Sequence, residues 1–70
     1  MRKKSVQLMG HKTSLSLEPE FWQALSVLAK QNNTSVRQII IQIDTIRTTN
    51  LASAVRVYIL TELQKQLIEK

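Results

Sequence analysis

The sequence predicts a mainly α-helical domain in which one short strand precedes three helices. Two observations set that class. Lys12 to Leu17 alternates polar and apolar residues with period two, and three later stretches carry apolar residues at helical spacing, each opened by a cap or proline signal. A third observation bears on assembly: a strand without a second strand in its own chain leaves backbone donors and acceptors unpaired, which is costly and promotes association.

Residues 1–11 read as a basic N-terminal arm, with a short extended stretch at Ser5 to Leu8 ended by Gly10, the single glycine. The domain proper is expected over residues 12–70. In its strand, Thr13, Leu15 and Leu17 share one face, and Lys12, Ser14 and Ser16 the other. Pro19 fits the first position of a helix, where its missing N–H costs nothing, and Glu18 and Glu20 suit the positive end of the helix dipole. Phe21, Trp22, Leu25, Leu28 and Ala29 form the apolar stripe of that helix. Asn32 and Asn33 end it, because asparagine tolerates the left-handed conformation of helix C-terminal caps.

Ser35 with Gln38 makes a capping-box pattern and starts a second helix. Its apolar set is Val36, Ile39, Ile40 and Ile43, and Ile41 extends the apolar surface to another side; the β-branched run also fits a strand, and the cap decides for helix. Asp44 to Thr49 is a polar connector. Asn50 then caps a third helix from Leu51 to about Ile68, with Leu51, Ala54, Val55, Tyr58, Ile59 and Leu63 on its inner face.

Seventy residues make one domain, and a chain this short buries only roughly 60% of its unfolded surface. Without cysteine, and with a single histidine (His11), neither a disulfide nor a metal site is available to staple the fold, so a second subunit is the expected source of stability. No cofactor is called for. The formal charge is +5, and the first seventeen residues contribute +4 of it through Arg2, Lys3, Lys4 and Lys12. A polyanion is the matching partner class, although a solvated basic tail would look the same. No window approaches a membrane span, and Val6 to Met9 is too short for a secretory leader, so the expected location is cytoplasmic.

A lone strand is most simply paired with the same strand of a second copy, giving an antiparallel ribbon whose apolar face lies on the helices of both subunits. The expected dimer core is Leu15, Leu17, Trp22, Leu25, Ile39, Ile40 and Ile43. The opposite face would carry two copies of Lys12, Ser14 and Ser16, as does many a solvated sheet face. A two-stranded ribbon is about the width that the major groove admits, lysine donates to guanine, and serine both donates and accepts, so these three are the candidate base-contacting residues. Thr34, Ser35, Val36 and Arg37 open the second helix, where free N–H groups and a guanidinium suit phosphate, and Arg2, Lys3 and Lys4 add phosphate contacts from the arm.

The residues Lys12 to Leu25, followed by Asn32 to Ile40, resemble the ribbon-helix-helix family of DNA-binding proteins, whose Arc and MetJ repressors are β-ribbon readers. The likeness is closest to a subgroup with a basic Ser-Val start, a Gly-His pair and a strand ending Leu-Glu-Pro-Glu-Phe-Trp, and it covers Arg2 to about Leu63. It implies a transcriptional regulator that binds double-stranded DNA as a homodimer, with higher assembly on DNA open. By position it assigns Lys12, Ser14 and Ser16 to base reading, and Ser35 with its neighbours to phosphate. Asn33 departs from the glycine common at this turn, and the third helix exceeds the minimal fold.

No nucleophile with its base, carboxylate pair or glycine-rich phosphate loop is recognisable, so an enzyme is not expected. The alternative from another class is an antitoxin-like or adaptor protein whose C-terminal helix binds a protein partner. Apolar side chains exposed at Val57, Leu60 or Leu67 in the dimer would favour it. A membrane-surface role for the arm lacks the aromatic and leucine face that insertion needs.

Overall fold

The computed structural model describes residues 1–68, so the last two positions of the expected domain lie outside the described residues. The elements are β1 (Arg2–Leu8), β2 (His11–Leu17), α1 (Pro19–Gln31), α2 (Val36–Ile46) and α3 (Leu51–Ile68). A two-stranded antiparallel ribbon followed by three helices is the expected ribbon-helix-helix architecture with its additional C-terminal helix.

The pairing of the ribbon corrects the sequence reading. Residues 2–8 are not a basic arm but a strand, and β2 pairs with it inside one chain, in a register running from Arg2 opposite Leu17 to Leu8 opposite His11. The physical reason is that Val6 and Leu8 bury apolar side chains under the sheet while Ser5 and Gln7 face out, so the segment is itself a period-two strand. Met9 and Gly10 close the hairpin. Gly10 has φ +85° at the second central position, where a type II turn requires a positive φ. A Cβ there would meet nothing within 4 Å, so backbone conformation, not space, calls for glycine.

Each helix starts and stops for a local reason. Pro19 occupies the first turn of α1. At its other end Asn33 is left-handed (φ 53°), the Thr34 N–H donates to the Ala29 carbonyl (2.9 Å) and the Asn33 N–H to the Lys30 carbonyl (3.2 Å), which together make a Schellman cap. Ser35 Oγ accepts from the Gln38 N–H (3.1 Å) and opens α2. Asn50 Oδ1 does the same for α3 through the Ser53 N–H (2.9 Å).

The hydrophobic core lies between the ribbon and the helices. Leu15, Leu17, Trp22, Leu25, Ile39, Ile40 and Ile43, expected as a dimer core, are all buried within a single chain. Their burial follows from the hairpin pairing. Once β1 adds Val6 and Leu8 and α3 adds Val55 and Ile59, the apolar faces cover one another without a second subunit. Leu63, expected inside, is 40% exposed. From Val55 through Ile59 to Leu63, each four-residue step advances about 40° around the axis at 3.6 residues per turn, which carries Leu63 away from the core.

Two interactions lock the open end of the ribbon to the helices. Trp22 Nε1 donates to the Arg2 carbonyl (2.9 Å), and the Lys4 ammonium sits 4.8 Å above the centre of the same indole. Arg56 of α3 pairs with Glu18 at the β2–α1 junction (2.9 Å) and lies over the Phe21 ring.

Candidate nucleic-acid interface

The face of the hairpin turned away from the helices follows from the register. Lys3, Ser5 and Gln7 of β1 lie opposite Ser16, Ser14 and Lys12 of β2, and all six point outward. The face therefore holds two cations, three hydroxyls and an amide, with no acid and no bulky apolar group. Lys12 and Ser14 are exposed and Ser16 is half-buried. Ser5 and Gln7 were missed by the sequence reading, although their alternation with Val6 and Leu8 was the available signal. Arg2 and Lys4 take the inward register instead, and Lys4 is committed to the indole of Trp22.

The start of α2 adjoins this face. Arg37 Nε donates to the Gln7 carbonyl (2.8 Å), which fixes the first turn of α2 beside the turn end of β1. Thr34, Ser35 and Arg37 are exposed and Val36 is half-buried. The N–H groups of Val36 and Arg37 belong to the first turn, where a helix offers no carbonyl of its own. The expected base-contacting and phosphate-contacting residues of β2 and α2 thus fall on one contiguous surface. His11 is exposed at the turn end of β2, and among the described residues no group of three side chains suits a metal ion.

The two edges of the ribbon differ. A two-residue turn makes Leu8 and His11 a hydrogen-bonded pair, so the backbone groups of Lys12, Ser14 and Ser16 point away from β1. None of these groups has a hydrogen-bond partner among the described residues. On the far side of β1, the Gln7 carbonyl is occupied by Arg37. Glu18, which follows β2, is ion-paired with Arg56 (2.9 Å), and a backbone hydrogen bond together with that guanidinium holds its carboxyl below the ordinary value of 4.5.

Away from the α2 start, α3 presents Val57 (62% exposed), Leu60 (55%) and Leu67 (76%) to solvent. Among the described residues no helix is long and apolar enough to cross a membrane.

Residues 1–63 match a family model described as a ribbon-helix-helix domain. No curated protein and no solved structure matches the chain.

Proposed function

This chain belongs to the ribbon-helix-helix domain family, and we propose that it is a sequence-specific DNA-binding regulator that sets the outer face of its ribbon into the major groove as a homodimer. Domains of this family generally bind DNA as dimers in transcription regulators. The observation that carries the reading is the contiguity of an acid-free polar ribbon face with the N-terminus of α2, joined by the Arg37–Gln7 hydrogen bond. Lys12, Ser14 and Ser16 supply base contacts, since ammonium and hydroxyl groups match the donors and acceptors on base edges. Thr34, Ser35, Val36 and Arg37 hold phosphate and fix the register. Arg2 and Lys3 add attraction at the open end of the hairpin.

The dimer does not follow from a missing core, since the core is closed in one chain. It follows from the free edge of β2. Three residues with two backbone groups each form a row that a second copy satisfies by antiparallel pairing. A register centred on Ser14 uses all of them and sets Lys12 opposite Ser16 of the second copy. The two ammonium groups then stand four residues apart along the strand, roughly 14 Å at 3.4 Å per residue.

Selection of bound sequences from a random DNA pool, with the stoichiometry of the complex measured, tests this reading. Lys12→Ala is expected to cost about 1–3 kcal/mol on the selected site and to relax choice at one position. Equal losses on selected and random duplex would remove Lys12 from base reading.

A second reading rests on α3. Its exposed Val57, Leu60 and Leu67 favour a protein partner on that helix, in the manner of an antitoxin or adaptor, and this role is compatible with DNA bound on the ribbon face.

A further inference from the structure

Pairing two hairpins through β2 makes a four-stranded sheet with order β1, β2, β2, β1. We infer that β1 in this sheet is a rail on the rim of the groove, whose Lys3, Ser5 and Gln7 contact DNA phosphates while β2 alone reads bases. The inference rests on the homodimer proposed above. Its basis is width. Neighbouring strands lie about 4.8 Å apart, so the axes of the two outer strands are separated by about 14 Å. The major groove is about 12 Å wide. Only the central pair fits within it, and the flanking strands fall on the sugar-phosphate walls.

The chemistry of β1 agrees. Its outward side chains are an ammonium, a hydroxyl and a carboxamide, all of them phosphate donors, and all three are exposed. The placement of α2 agrees independently. Arg37 ties the first turn of α2 to Gln7, so the helix start continues the line of β1 outward on the same rim. Phosphate binding therefore extends from the helix start along the strand, and the division between reading and seating runs between β2 and β1.

The test compares Lys3→Ala and the double variant Ser5→Ala with Gln7→Ala against Lys12→Ala, on the selected duplex and on a random duplex, across a salt series. Circular dichroism melting confirms that each variant folds. The rail predicts that Lys3→Ala weakens both duplexes by the same factor and lowers the log–log salt slope by about 0.9 for each phosphate left unneutralised, hence about 1.8 for a dimer. The Ser5/Gln7 variant is expected to weaken both duplexes equally without altering the selected sequence. An altered base preference in either variant would show that β1 enters the groove and would overturn the rail. Unchanged affinity and slope would overturn it as well. If Lys12→Ala shifts base preference while the β1 variants change nothing, the rail fails and the base-reading proposal stands. If the unaltered protein binds neither duplex, both fall together.

Discussion

At the residue scale the informative positions are those where the backbone needs something unusual. Asn33 sits at φ 53° between α1 and α2, and its N–H closes one of the two Schellman bonds. Alanine tolerates that conformation poorly, because Cβ crowds the following carbonyl. Asn33→Ala should lower stability by about 1 kcal/mol, whereas Asn33→Gly should be close to neutral, since glycine adopts left-handed φ freely and loses only unfolded-state entropy. Urea titrations of the two variants check this, and an equal loss in both would assign the effect to the asparagine side chain instead. Asn33 was legible in the sequence as a helix terminator because its residue type has a conformational meaning. Gly10 carries the same kind of signal, yet it reads in the sequence only as the end of an arm. Two residues separating two alternating runs is a hairpin spacing, and its weight is hidden by the charges of Arg2, Lys3 and Lys4, which suggest a solvated tail.

At the scale of elements, the three helices were legible because each has a local start signal, confirmed by the caps of Ser35 and Asn50 and by Pro19. The candidate interface was half legible: β2 and the start of α2 show in the pattern, but the outward residues of β1 depend on a pairing register that only the fold supplies. The α3 helix illustrates the same limit. Periodicity placed Leu51, Ala54, Val55, Tyr58 and Ile59 on its inner face, where they are buried or packed against the core, but it also placed Leu63 there, which ends outside. If its exposed stripe binds a protein, Leu60→Ser combined with Val57→Ser should abolish co-purification of that protein while leaving DNA affinity within about twofold, since surface substitutions remote from a site usually shift free energy by no more than about 0.5 kcal/mol. Retained co-purification would exclude the stripe. The DNA measurement keeps the two surfaces separate, because neither residue adjoins the ribbon face.

For the whole molecule, the closed core changes what dimerisation means. All seven residues expected to need a partner are buried in one chain, so in the proposed dimer association through the β2 edge would add hydrogen bonds and some buried surface to a fold that already exists. Dilution should therefore dissociate the dimer into folded monomers. Sedimentation is expected to show the mass halving while the far-ultraviolet circular dichroism stays constant, and loss of helix in step with mass would mean that the core does depend on a second copy. A hairpin closed by Met9 and Gly10 also makes the folding step unimolecular, so a newly synthesised chain matures at the same rate however scarce its siblings are. Under the proposed function, DNA would then serve as the template on which two already folded subunits meet.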